Sequence, residues 1–197
     1  MIQLEQGSEA WLQFRRTKIC ASDAPIILGL SPWLTAIELY KEKLGLREPR
    51  PINSAMQRGM ILEPKARNIF ENKYGILMTP EVIIHPIDDW MMASLDGMSL
   101  DGKSILEIKC TSRKNHYLAQ AGKIPEHYYP QVQHQIECAG VDFCYYCSYY
   151  VDNISVVIGD DICVVVVKRD NTYIAEMKEK EYEFYQCMIN KTEPKVA

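Results

Sequence analysis

The chain has no apolar run of the roughly twenty residues that a membrane-spanning helix needs. Its opening residues, Met1-Ile-Gln-Leu-Glu, lack the basic-then-apolar layout of a secretory signal, so a cytoplasmic protein without a membrane partner is expected. Internal repeats, low-complexity segments and linker-like breaks are missing too, and residues 1–197 are expected to form one domain, large enough to bury a full core. There is no disulfide framework. Seven cysteines, an odd count, are scattered at positions 20, 110, 138, 144, 147, 163 and 187, which is the pattern of reduced thiols. Nor is there an excess of positive charge: 22 basic residues face 26 acidic ones, for a net charge of −4. Phosphate binding normally needs clustered Lys and Arg. The clusters present are local, with Arg15, Arg16 and Lys18 in one and Lys109, Arg113 and Lys114 in another, while part of the acidic excess lies at 176–183.

What the chain does have is concentrated around one turn. Asp101-Gly102 is a strong signal for a two-residue type I′ hairpin. With those residues as the loop, opposed positions have numbers summing to 203, and Asp96 lies across from Glu107. Directly opposed residues have Cβ atoms roughly 4.5–5.5 Å apart, so the two carboxylates converge. Lys109, two residues beyond Glu107, falls on the same face of its strand. Oxygen ligands without nearby His or Cys favour Mg²⁺ or Mn²⁺ over zinc. A lysine beside such a metal can orient or deprotonate a water for phosphodiester hydrolysis. The bland alternative is a surface hairpin with solvated charges. Against it, Ile105, Leu106 and Ile108 make this a buried type of strand, where facing acids are costly without a cation.

Elsewhere the periodicity predicts a short helix around Trp11, Leu12 and Phe14, and another at 23–28 with Ser22 as N-cap and Gly29 as stop. Thr35-Ala-Ile-Glu38 reads as a capping box opening a helix that ends at Gly45. A loop at 46–53 leads into helix over 54–74, closed by Gly75. Strands are predicted at 82–84, 91–95 and 104–110, with a turn at Asp88-Asp89, then helices at 115–121 and 129–139. Two further strands, at 143–151 and 155–167, precede a long amphipathic helix at 171–190. This order implies an α/β fold with a central mixed sheet flanked by helices.

An acid followed by Glu-x-Lys on the next strand resembles the PD-(D/E)xK nuclease superfamily. More specifically, the chain resembles the phage lambda exonuclease (YqaJ-like viral recombinase) family over roughly residues 7–167. The ordered blocks that carry this are Trp11-x-x-x-Arg15 with Ala21-Ser22, Arg58-Gly-Met-x-x-Glu63, Ala93-Ser94-Leu-Asp96-Gly97, Leu106-Glu107-Ile108-Lys109-Cys110 and Gln131-Val-Gln133. The resemblance implies a restriction-endonuclease-like core and a Mg²⁺-dependent 5′-to-3′ exonuclease on double-stranded DNA ends. Such an enzyme releases 5′-mononucleotides and leaves 3′ single strands for single-strand-annealing recombination. It further implies a homotrimeric ring, an annealing protein as partner and a phage- or prophage-encoded origin in a bacterial host. By the same match Asp96, Glu107 and the Ile108 carbonyl hold the metal, Lys109 serves the attacking water, and Glu63 and Gln131 complete the site. Arg15, Ser22 and Ser94 match the positions that bind the 5′-terminal phosphate. Two departures stand out: Leu95 replaces the usual proline before the first acid, and Pro64 directly follows Glu63, disfavouring helix there.

Taken alone, these residues differ in what they say. Arg15 offers a planar fork for phosphate, but Arg15-Arg16 by itself reads as an exposed helix face. Ser22 is more simply a cap, although a helix N-terminus is itself an anion site. Glu63, Gln131 and Gln133 are uninformative in isolation. Cys144-Tyr-Tyr-Cys147 has zinc-knuckle spacing but no second pair, and i and i+3 on a strand point to opposite faces. His134 and Cys138, with His127, make an incomplete zinc set. Tyr145, Tyr146, Tyr149 and Tyr150 could stack bases, though packing explains them equally well. Trp33, after Ser31-Pro32, is either a core anchor or part of a loop that meets DNA ends. The competing functions are another nuclease of the superfamily, such as an endonuclease or single-strand repair nuclease, a DNA-binding subunit without chemistry, and a zinc-stabilised interaction protein.

Overall fold

A computed structural model describes residues 8–48, 51–151 and 162–195. Thus residues 155–161 of the predicted strand at 155–167, and residues 49–50 of the loop at 46–53, lie outside the described residues. In chain order the elements are α1 (Glu9–Arg16), β1 (Ile19–Cys20), α2 (Ala24–Ile27), α3 (Ala36–Lys43), α4 (Ser54–Tyr74), β2 (Met78–Ile84), β3 (Met91–Ser99), β4 (Ile105–Cys110), α5 (Arg113–Gln120), α6 (Tyr129–Ala139), β5 (Phe143–Tyr149), β6 (Ile162–Lys168) and α7 (Asn171–Asn190). The Thr35–Glu38 capping box opens α3 as the sequence predicts.

The strands form one mixed sheet in the order β1-β3-β4-β5-β6, with β2 on the other edge of β3. β1–β3 and β4–β5 are parallel, and the remaining pairs are antiparallel. One core lies beneath α6, where Val132 and Ile136 pack with Ala93, Leu95 and Ile105. The second lies beneath α4, where Leu62, Ala66 and Phe70 pack with Leu106 and Ile108.

The sheet is forked, and the fork positions everything that follows. β2 covers one edge of β3 along its length. On the other edge β1 pairs only at Met91 and Met92, and β4 pairs only at Gly97 and Met98. Between them, residues 93–96 face a gap. β3 also carries a bulge here: pairing runs Thr79↔Met98 and then Glu81↔Leu95, so two steps on β2 answer three on β3. The extra residue falls at Asp96-Gly97, and such a bulge breaks alternation and re-aims a side chain. Gly97 is needed for a close approach, since a Cβ there would lie 2.6 Å from the Met78 Cβ.

Three local expectations are corrected. The β3–β4 register does sum to 203, with Gly97↔Leu106 and Met98↔Ile105. The turn, however, is a four-residue loop at 100–103 inside a Ser99–Ser104 pair, not a type I′ turn. Type I′ needs positive φ at both central residues, and here Gly102 (φ 68°) has it while Asp101 does not. Ser22 is not a helix cap. It lies within a 3₁₀ turn (Ala21–Asp23) whose opening amide, Cys20 N–H, donates to the Asp23 carboxylate at 2.8 Å. Finally, α4 runs unbroken through Pro64, keeping Glu63 helical. The carbonyl that proline leaves without its helical donor belongs to Met60, an exposed residue.

Candidate active site

Asp96 sits in the bulge, at the point where β4 leaves β3. Its Oδ2 accepts a hydrogen bond from the Ile108 amide at 2.7 Å, so a side chain takes over where the ladder stops. In an antiparallel pair a hydrogen-bonded residue sends N–H and C=O to the same neighbour. The Ile108 carbonyl therefore faces the gap beside Asp96. Glu107 is 2% exposed, and both its oxygens are held. Oε1 lies 2.5 Å from Lys109 Nζ and accepts from Gln131 Nε2 at 2.8 Å. Oε2 accepts from Gln135 Nε2 at 2.5 Å. Lys109 also donates to Gln131 Oε1 at 3.2 Å, closing a ring of three side chains.

Burial, Glu107 and then Glu63 together push the Asp96 carboxyl well above its usual range, against the pull of Lys109 and the Ile108 amide. Burial works to depress the Lys109 ammonium, but Glu107 and Asp96 outweigh it and hold it above its ordinary value. The neighbouring Cys110 thiol is pushed up to about 12 by burial and by Glu63. Glu63 itself forms an i,i+4 pair with Arg67 at 2.7 Å. The arginine of its sequence block, Arg58, donates to the Val151 carbonyl and ties α4 to the end of β5.

Of the second group of sequence-predicted residues, Arg15 and Ser22 are brought into contact. Arg15 donates to Ser22 Oγ at 2.9 Å and approaches Cys20 Sγ at 3.4 Å, with its guanidinium over the Trp11 ring. The Cys20–Met92 pair is the last rung of the β1–β3 ladder, and Ser22 lies beyond it in the 3₁₀ turn, whereas Ser94 is on β3. Ser94 and Met92 share the face of β3 opposite Ala93 and Leu95, the face to which Cys20 also belongs. Behind Arg15, Lys43 and Asp23 form a buried ion pair at 2.5 Å. Lys43 also donates to the Arg15 carbonyl at 2.9 Å and the Lys18 carbonyl at 2.8 Å.

Sequence reasoning missed Gln135. It bonds both Glu107 and the Ser94 carbonyl on the unpaired edge, so it links the two halves of the site. The signal was there: Gln135 is the i+4 mate of Gln131, on the same face of α6. Gln133 points away, to the Lys168 carbonyl and the Asp170 amide. His134 is a core residue, 2.8 Å from Glu181 and 3.1 Å from the Met92 carbonyl. Tyr146 and Tyr149 are fully buried, and none of the seven cysteines is in a disulfide. Among the described residues no three His, Cys, Asp or Glu side chains form a metal cage.

Several known proteins share this arrangement of elements. The crystal structure of an alkaline exonuclease, LHK-Exo, from Laribacter hongkongensis matches with a TM-score of 0.78 at 28% identity, covering 93% of this chain and 94% of that one. A phage-related exonuclease from Haemophilus somnus 129PT, at 17% identity and a TM-score of 0.65, covers 88% of this chain and 96% of its own, and shares the fold. The fold is that of the lambda-exonuclease-like proteins. The model of the YqaJ-like viral recombinase domain matches residues 10–142. The chain belongs to that family. It is 33% identical over 189 residues to the uncharacterized protein YqaJ of Bacillus subtilis (strain 168), a match covering 94% of this chain and 57% of that relative.

Proposed function

We propose that this chain is a metal-dependent exonuclease of the PD-(D/E)xK type that degrades double-stranded DNA from its 5′ ends. The observation that carries this is the bulge that brings the Asp96 carboxylate to the Ile108 amide, beside Glu107 and Lys109. The donor set fits a hard divalent cation. A buried acid crowded by two others, with its pKa driven up, is relieved by a cation in a way that no neutral group can match. Asp96, Glu107 and the Ile108 carbonyl would hold Mg²⁺, with Mn²⁺ able to substitute. The cation supplies charge neutralisation at the phosphodiester and lowers the pKa of a bound water. Lys109, held in its ammonium form by Glu107, orients the attacking water by donating to it, and Gln131 fixes the lysine head. Gln135 keeps the Glu107 carboxylate from rotating. Glu63, whose charge reaches Asp96, adds negative charge that strengthens cation binding.

Arg15, Ser22 and Ser94 would bind the 5′-terminal phosphate, Arg15 through its planar fork and the serines through their hydroxyls. The products would be 5′-mononucleotides, with 3′ single strands left for annealing. LHK-Exo has been crystallised in complex with dAMP, which supports a mononucleotide-sized site. The family resemblance also leads us to propose a homotrimer and a single-strand-annealing partner. The test is a blunt duplex labelled at either end, incubated with and without Mg²⁺. Early release of the 5′ label as mononucleotide, only with metal, is expected. Cleavage of closed circular duplex would point instead to an endonuclease. No cleavage with Mg²⁺ or Mn²⁺ would point to a binding subunit.

A further inference from the structure

Of the three tryptophans, Trp11 and Trp90 are buried, whereas Trp33 is 58% exposed. It stands in the connection between α2 and α3, pinned by its buried neighbour Leu34 and by its own amide donating to Ser31 Oγ at 3.3 Å. Its ring is not isolated. It meets His127 edge-on at 5.0 Å and lies tilted by 30° at 6.5 Å from Tyr128. Tyr128 in turn stands 4.9 Å from Lys109 Nζ and packs inward on Tyr146 at 6.1 Å. An aromatic track therefore runs from the lysine of the reacting centre to the surface, and it ends in an exposed indole. Within it, His127 Nε2 is buried with no hydrogen-bond partner among the described residues.

We propose that Trp33 is a stacking platform for a DNA base of a nucleotide flanking the scissile phosphate, a reading that rests on the nuclease assignment above. A phosphate held beside Lys109 has the bases of its two nucleotides within reach of this track. Every base has a π-face, so stacking binds without choosing sequence, which suits an enzyme that must degrade whatever end it meets. Covering the indole would also remove the most exposed tryptophan surface of the chain from water.

Each stacked base contributes about 1–3 kcal/mol, equivalent to about 5- to 140-fold in affinity. Trp33→Ala should therefore raise KM for blunt duplex within that range while changing kcat less, and Trp33→Tyr should restore most of the loss. All three tryptophans emit, and Arg15 lies over the Trp11 ring, so the Trp33 signal is read as the difference between wild type and Trp33→Tyr. In EDTA at low salt, a 5′-phosphorylated duplex should quench it, and the same duplex lacking its terminal and penultimate 5′ bases should not. Equal quenching by both duplexes, quenching by neither, or an unchanged KM for Trp33→Ala overturns the platform. A wild-type protein that cleaves nothing with Mg²⁺ or Mn²⁺ sinks the nuclease reading instead, and the fluorescence comparison still decides the role of Trp33.

Discussion

A carboxylate as enclosed as Glu107 persists in a protein interior only when its charge is answered. Here an ammonium and two side-chain amides answer it, while Asp96, beside it, receives one backbone amide and is crowded by acids. The two acids therefore behave differently from the lysine when removed. Asp96→Ala and Glu107→Ala are expected to lose Mg²⁺ affinity along with cleavage, as seen by calorimetric titration. Lys109→Ala should keep metal and DNA binding yet lose turnover by about 10²- to 10⁴-fold, since it acts on the nucleophile. A Lys109→Ala variant cutting at the wild-type rate would remove its proposed role. Arg15 gives the second residue-scale test. Charge-assisted hydrogen bonds contribute about 1.5–3 kcal/mol each, so wild type should start on 5′-phosphate ends at least about tenfold faster than on 5′-hydroxyl ends. Arg15→Ala should erase that preference by slowing the phosphorylated end, and equal wild-type rates on the two ends would dispose of the phosphate pocket.

Among the elements, β1, the 3₁₀ turn and α3 are joined by the Asp23–Lys43 pair, whose Lys43 also holds the carbonyl of Arg15. Burial raises the Asp23 carboxyl, but Lys43 and Arg15 overcome it and leave it depressed; burial lowers Lys43, but Asp23 and Cys20 overcome that and leave it elevated. A depressed acid contributes stability above its ordinary range that is lost as pH falls through its folded value. An elevated lysine contributes stability below its ordinary range that is lost as pH rises through its folded value. The pair thus stabilises across the interval between them. Asp23→Ala, which strands a buried ammonium, should cost about 3–5 kcal/mol near neutral pH in urea unfolding, and Asp23→Ala with Lys43→Met should recover most of it. A single variant as stable as wild type would show the pair to be inert.

The same elements show what the sequence could and could not reveal. The β3–β4 register was legible because a loop centred between Asp101 and Gly102 gives the same sum whether it has two residues or four. The bulge was not, since it exists only relative to β2, whose pairing with β3 leaves no local mark. Gly97 hinted at it, but a close approach to Met78 is a tertiary fact. Arg15 and Ser22 were placed by family blocks rather than by physics. Their contact depends on a 3₁₀ turn that the Asp23 carboxylate closes back onto the Cys20 amide, with Ser22 in its middle. Pro64 misled because the cost of proline in a helix depends on which carbonyl it frees, and here that carbonyl belongs to an exposed residue, Met60.

On the scale of the whole molecule, a net charge of −4 sits poorly with a duplex unless basic side chains are gathered where DNA runs. A closed assembly of copies with Arg15, Lys18 and Arg113 turned inward would gather them. Light scattering at micromolar concentration should accordingly give a discrete trimer, and a monomer that still degrades long duplex without releasing it would remove the ring while leaving the site untouched. No helix among the described residues is long and apolar enough to cross a membrane. The chain spans little more than half of its Bacillus relative, 57% of that length. One bond in the fork has a use of its own. The Ile108 amide proton rests on the Asp96 carboxylate rather than on a neighbouring strand, so its magnetic environment follows the charge of that acid. In a ¹⁵N-labelled sample its resonance should move on Mg²⁺ titration and again in Asp96→Asn, while amides of β5 hold still. A single backbone signal then serves as an occupancy gauge for the site, readable without DNA and without turnover.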